Sequence, residues 1–441
     1  MREALRGVSR AVIRGPLATY TPGGRISLVR RLWTGRRSET GVLEMTKEHG
    51  ADRVATRRLK RRHIVAQAAL ALLFVLSAYC SLVPSGRATL RALALLPALV
   101  GAGASLPLEL AGEPWRHTRE TVESRGGTVS LDVYAPIAGA PPIPGARGGI
   151  LIIPGVGDER AEPQLLNLDE ALASAGLVAM NMTTPTLLAY DLTPVDGDAV
   201  VAAYQALARW PGVVSERVGI LGFSAGGALA TIAATDPRIR DHLKFITLCG
   251  GYFDATTLLR DFGRRAQEVD GSLQAWQPQD VPVQVLAHVI ADTLPSAEGQ
   301  QLSNAFLSPI TPLPDSQVAQ LSPPAQAAYH LLEGDQSTQV AANLAALSPQ
   351  MRALLTQLSP KTYLSGIRTP IYLLHDREDQ YVPFTQSREF DAALTRAGHN
   401  HEYAEFGIFQ HVEVRTGLGL GALGDDLTLF RLLTELLQPG S

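Results

Sequence analysis

Cysteine is nearly absent: there are two among 441 residues, Cys80 and Cys249. One lies in an apolar run and the other far along the chain, so they are not expected to pair, and no disulfide framework holds this protein together. Lysine is almost as rare, with four residues, so nearly all positive charge is arginine, as GC-rich coding favours. Periodicity is lacking too. The triplet "LSP" recurs at 307–309, 321–323, 347–349 and 358–360, but the intervals of 14, 26 and 11 residues exclude a true repeat. Acid is scarce at the start of the chain. Residues 1–63 carry 16 Lys+Arg against 5 Asp+Glu, a net charge of +11, which leaves −14 for the rest of a chain whose total is −3. No nucleic-acid-binding motif accompanies that basic tail, which argues against nucleic acid as the partner.

Charge is missing altogether from Ile64 to Gly86, "IVAQAALALLFVLSAYCSLVPSG", directly after the basic "RRLKRRH". About 20 apolar residues cross the hydrocarbon core as a helix, and Lys/Arg mark the flank that stays in the cytoplasm. A hydrophobic content of 46% and a mean hydropathy of +0.06 fit a membrane piece. The run lacks the small residues of a cleavage site, so it is expected to be an uncleaved signal anchor at 64–86 rather than a removed leader. The tail 1–63 is expected to be unstructured and cytoplasmic, with Met45 as an alternative start. The single-pass topology puts the remaining body outside the cytoplasm. A second apolar run, Ala92–Leu108, is interrupted by Pro97, Gly101, Gly103 and Pro107. It is expected to be an interfacial segment within a linker at 87–120.

What is present from about residue 121 is an alternation of strands and helices. "TVSLDVYAP" (128–136) alternates like a half-buried strand, and "GGILIIPG" (148–155) is a continuous apolar run like a strand covered on both faces. "DEALASAGLVAMNM" reads as helix then strand, "GDAVVAAYQALARW" as an amphipathic helix, and "RVGILGF" and "HLKFITLCGG" as further strands. This rhythm predicts an α/β fold with a mostly parallel sheet and helices on both faces. It breaks at 254–360, which is mostly helical in pattern, with Ser-Pro pairs as helix starts. It returns with "TPIYLLHDREDQYVPF" (369–384), a helix at 385–397, the strand "HEYAEF" (401–406) and a last helix near 425–437.

Within that rhythm, "GFSAG" sets Ser224 between Gly222 and Gly226, behind a strand and ahead of a small-residue helix. A sharp strand-to-helix turn lifts a serine hydroxyl out of the sheet, and bulk on either side is not tolerated. Serine is a poor nucleophile unless a base takes its proton, and that base needs an orienting acid. The chain order for this elbow is Ser, then Asp or Glu, then His. Asp379 follows the strand "IYLLH" and is the expected acid, with Asp376 and Glu378 as rivals. His411 follows "HEYAEF" and is the expected base, with His399 and His401 as rivals. The oxyanion formed on attack needs two N–H donors. They are expected from Ala225, next to the serine, and from Val156 in "PGVG", where Gly157 lets the backbone approach closely.

These motifs resemble the α/β-hydrolase superfamily, and within it the branch of dienelactone hydrolases, esterases and prolyl-oligopeptidase-like enzymes. The resemblance spans about 121–253 and 361–441. It rests on "GFSAG", on "HDREDQYVP" where the family has "HGxxDxxVP", and on the histidine of "QHVEV". The chain departs from the family in three places. Its nucleophile is a serine where dienelactone hydrolases usually have cysteine, "PGVG" replaces a frequent "HGxG", and Asp376 stands in place of a usual glycine. The resemblance implies that 254–360 is a cap over the pocket. The reading as a whole is a membrane-anchored serine hydrolase that cleaves carboxylic esters and needs no metal or cofactor. Its partners are a small ester or acyl substrate and the membrane. A peptidase, an acyltransferase and a non-catalytic binding module are the alternatives, and the lack of a propeller-length segment ahead of the domain counts against a peptidase of the prolyl-oligopeptidase type.

Overall fold

The computed structural model describes residues 83–99, 108, 112–137, 147–407, 409–411 and 413–414, with isolated positions between 428 and 437. The expected tail, nearly all of the expected span at 64–86, and most of the last helix fall outside these residues. Among the described residues no helix is long and apolar enough to cross a membrane.

Eight strands build one sheet: β1 (Trp115–Ser124), β2 (Gly127–Pro136), β3 (Arg147–Ile153), β4 (Val178–Thr183), β5 (Val213–Phe223), β6 (Ile246–Cys249), β9 (Ile371–Asp376) and β10 (His401–Phe406). A separate hairpin is formed by β7 (Ala266–Val269) and β8 (Ser272–Ala275). The sheet order is β1-β2-β4-β3-β5-β6-β9-β10. Only β2 runs against its neighbours, and every pair from β4 to β10 is parallel. Helices cover both faces of the parallel part, so the central strands are continuous apolar runs, with Leu151, Ile152, Ile153, Met180, Ile220 and Ile246 all fully buried.

The observed boundaries match the rhythm closely where it was strong: helix Thr385–Ala397 and strand His401–Phe406 fall where the pattern puts them. Elsewhere the structure corrects it. The sheet starts at Trp115, inside the expected linker, because β1 is an edge strand whose residues "WRHTRETVES" are polar on both faces and mostly exposed. The first part of the segment expected to lie on a membrane surface belongs to a helix, Pro84–Leu99, one face of which packs on the body while Leu90 and Leu93 stay exposed. Ala88, Ala92 and Leu95 recur at helical spacing and are buried to 1%, 0% and 0% exposure. Leu95 joins Leu168 and Leu172 of helix Pro163–Ser174 in one apolar cluster. Burying one leucine is worth about 2 kcal/mol, and the two alanines let the helices approach closely.

The insertion between β6 and β9 is a helical layer with an apolar cluster of its own, built on Phe262, Phe306, Leu331, Leu355 and Met351. Ser322-Pro323 and Ser348-Pro349 start helices, and the Ser348 hydroxyl accepts the N–H of Met351. Ser359-Pro360 starts a 3₁₀ helix, whereas Ser308-Pro309 starts none. The β7–β8 hairpin inside the insertion is a strand pair that the helical pattern hides. The insertion's two ends meet: Tyr252 Oη donates to the Leu358 carbonyl (3.0 Å), Lys361 N–H to the Phe253 carbonyl (3.1 Å), and Ala255 N–H to Ser359 Oγ (2.9 Å).

Candidate active site

The elbow is built by the two glycines around Ser224. A Cβ on Gly222 would stand 2.7 Å from the Gly226 carbonyl, and one on Gly226 would stand 2.3 Å from the Ile153 carbonyl. Only hydrogen fits at either place, so the helix Ala225–Ala233 starts directly over the end of β3. Ser224 has φ of 50°, a region that side-chain-bearing residues avoid. Its N–H is spent on the Cys249 carbonyl of the adjacent β6, at 2.8 Å, which pins the strained residue to the sheet. Strain of this kind persists where the surrounding structure over-determines it.

The loop after β3 lies against this elbow, since a Cβ on Gly155 would be 3.5 Å from Ser224 Cβ. Gly155 N–H donates to Glu159 Oε2 (3.0 Å), and Gly157 N–H to the Leu187 carbonyl (2.8 Å). The N–H between them, on Val156, has no hydrogen-bond partner among the described residues, and neither has that of Ala225. The loop is thus held at both glycines and leaves one donor open.

Asp379 and His411 come together from the ends of β9 and β10. His411 Nδ1 lies 2.7 Å from Asp379 Oδ2. The carboxylate only accepts, so Nδ1 carries the proton and Nε2 is left as the base. Asp379 is fully buried; its other oxygen accepts the N–H groups of Tyr381 (2.7 Å) and Val382 (3.0 Å). Burial alone would push this carboxyl up, but the contacts of His411 and His375 outweigh it and hold the carboxyl well below the usual range. The imidazole of His411 fits against Gly250, whose Cβ would meet Nδ1 at 3.0 Å. Gly250 follows Cys249, so the base lies beside the residue that anchors Ser224.

The rivals lie elsewhere. Asp376 Oδ1 accepts the Glu378 N–H (2.8 Å) and its carbonyl accepts the Asp379 N–H (3.3 Å), so it shapes the acid loop. His401, the first residue of β10, pairs with Asp391 at 3.1 Å, and His399 bonds the Asn400 carbonyl, both at the end of the strand away from His411.

Three supports escaped the sequence. His375, fully buried, faces Val382 O (3.0 Å) and Asp379 Oδ2 (3.2 Å) with Nε2, while Nδ1 meets Ser387 Oγ at 2.7 Å. Two acceptors on Nε2 fix the proton there, and Ser387 donates to Nδ1. The ring of Tyr381 stacks on His411, with centroids 4.5 Å apart and planes 10° from parallel. From the insertion, Trp276 Nε1 donates to the Asp379 carbonyl at 2.7 Å. The spacing of "HDREDQYVP" held a hint of the first two, since both sit within four residues of Asp379; nothing in the sequence hinted at Trp276. Among the described residues no group of three or more His, Cys, Asp or Glu is placed to hold a metal ion.

An eight-stranded sheet in this order with a reversed second strand, and a serine elbow after β5, is the α/β-hydrolase fold. No family model matches the chain, and no curated protein does. Solved structures similar to it include an acylaminoacyl peptidase in complex with Z-Gly-Gly-Phe-chloromethyl ketone (15% identity, 75% of this chain and 43% of that one, TM-score 0.45). Others are a Mycobacterium tuberculosis puromycin-hydrolyzing peptidase (19%, 73% and 38%, 0.43) and a 2,6-dihydroxy-pseudo-oxynicotine hydrolase (14%, 73% and 68%, 0.41). The matched region spans less than half the length of both peptidases. The fold class rests on the strand order and the elbow.

Proposed function

We propose that the chain is a serine hydrolase that passes an acyl group from an ester or amide to water through Ser224. The observation that carries this is the couple of Asp379 and His411 lodged beside the strained Ser224 elbow. His411 Nε2 takes the hydroxyl proton as Ser224 attacks the carbonyl, and the imidazolium then gives it to the leaving group. Asp379 keeps its charge throughout and stabilises the imidazolium. Val156 and Ala225 offer the two open N–H groups to the oxyanion, each such donor being worth about 3 kcal/mol. Water then enters by the same route in reverse and releases the acid. Carboxylic esters are the expected substrates. Amides pass through the same acyl-enzyme, so parallel assays on p-nitrophenyl esters and amino-acyl p-nitroanilides separate the two. Attachment to a membrane through residues 64–86 belongs to the same proposal and is supported by the uncharged run and its basic flank.

A fluorophosphonate probe tests the core of it. The probe is expected to label Ser224, and Ser224→Ala to lose both labelling and turnover, by about a millionfold for a working triad. Near-normal turnover in that variant would end the proposal.

A further inference from the structure

Tyr190 has no part in the chemistry above, yet it is held in an unfavourable conformation beside it. It follows the single helical turn Pro185–Leu188 with φ of 56°, where an aromatic side chain is a rare occupant. Its own N–H donates to the Leu187 carbonyl at 3.0 Å, and two further contacts hold it. His288 Nδ1, on helix Asp280–Ala291 of the insertion, donates to the Tyr190 carbonyl at 3.0 Å. The ring packs, as Val156 does, on the edge of the main core. The hydroxyl ends against the oxyanion loop: a Cβ on Gly157 would stand 3.0 Å from it. Gly157 itself has φ of 90°, so the loop both bends and makes room here. The hydroxyl bonds no protein atom among the described residues and is not sealed from solvent, so it is open to bond a ligand. Strain held from two sides at an active-site mouth points to a use in binding.

We propose that Tyr190 is a specificity-determining residue. Its hydroxyl bonds an acceptor atom on the acyl group, a few bonds from the scissile carbonyl, so the site favours acyl groups bearing an alkoxy oxygen or an amide carbonyl over plain alkyl chains. This rests on the serine-hydrolase reading. The contacts place it near the elbow: Gly155 abuts Ser224, and the Tyr190 hydroxyl lies against Gly157, two residues further along the same loop.

The test compares p-nitrophenyl methoxyacetate with p-nitrophenyl butyrate, which differ by one oxygen in place of a methylene. The wild-type chain and Tyr190→Phe are assayed on both, and the ratio of ratios cancels the intrinsic reactivity of the esters. Tyr190→Phe is expected to lose about three- to tenfold in kcat/KM on methoxyacetate and almost nothing on butyrate, the range of one neutral hydrogen bond. No change on either, or an equal fall on both, overturns the proposal. Fluorophosphonate labelling of the same preparations keeps the two questions apart. A wild-type chain that is not labelled defeats the hydrolase reading, whereas a labelled one with an unchanged ratio defeats the role of Tyr190 alone.

Discussion

At Asp379 a single carboxylate gathers a base, a second histidine, two backbone amides and, on its own carbonyl, an indole. Asp379→Asn should therefore cost turnover heavily, on the order of ten-thousandfold, because an amide facing His411 favours the wrong tautomer and carries no charge. Asp376→Asn should cost much less, since Asp376 serves the loop. Steady-state kinetics on one ester decides the ranking, and the reverse order would move the acid to Asp376. A second buried carboxyl behaves oppositely. Asp169 touches only the Asn181 amide (3.2 Å), and its Oδ1 has no partner among the described residues. Burial pushes its pKa up to about 8, with the Asn181 hydrogen bond opposing and the charges of Asp132 and Glu170 adding to the rise. Between its ordinary value near 4 and about 8 the folded chain keeps a proton that the unfolded chain releases, so this group makes stability fall as pH rises through that window. Asp169→Asn should flatten that slope and raise the thermal midpoint at pH 8 more than at pH 5. An equal change at both pH values would show that the fold leaves the Asp169 carboxyl unshifted. The proposed triad was legible because the chemistry proposed for it needs fixed residue types in a fixed order after strands. Gly250 and Trp276 were not, because their roles arise only when separate elements meet.

Among elements, the elbow is the least tolerant. Gly226→Ala would drive a methyl into the carbonyls of Ile153 and Pro154, both closer than 2.5 Å to the added carbon. The helix Ala225–Ala233 must then lift from β3, which moves the two open N–H groups apart. Probe labelling and turnover should fall by at least a hundredfold, roughly the loss of one oxyanion donor. Circular dichroism reports whether the fold survives, and unchanged turnover in a folded variant would show that the elbow has slack. The sequence displayed the central strands as unbroken apolar runs, since both their faces are covered. It hid β1, because an edge strand with polar faces leaves no alternation to see. It also hid the docking of Pro84–Leu99, because alanine and leucine at helical spacing suit a protein surface and a membrane surface alike. The β7–β8 hairpin was lost in a region whose pattern is otherwise helical.

For the whole molecule the proposal is one crossing at 64–86, with the hydrolase body outside the cytoplasm. Arg57, Arg58, Lys60, Arg61 and Arg62 crowd one flank of the run, against Arg87 and Arg91 at the other. Protease added to intact cells or spheroplasts should digest the body; protection until lysis would place it in the cytoplasm. The composition and the uncharged run carry this proposal; residues 64–82 lie outside the described residues, and Pro84 starts the helix that packs on the body. The insertion tells a different story at the same scale. Its first and last residues are hydrogen-bonded neighbours, so the sheet closes beneath it whether the excursion between them is long, short or foreign. Evolution can then exchange this part as a cassette, and an engineer can cut at Phe253 and Lys361 and splice in another, as domain insertions at adjacent ends allow. Two debts travel with any such graft. The donor that Trp276 lends to the Asp379 carbonyl and the one that His288 lends to the Tyr190 carbonyl must both be resupplied by the newcomer, so the exchangeable part and the inherited chemistry are soldered together at an indole and an imidazole.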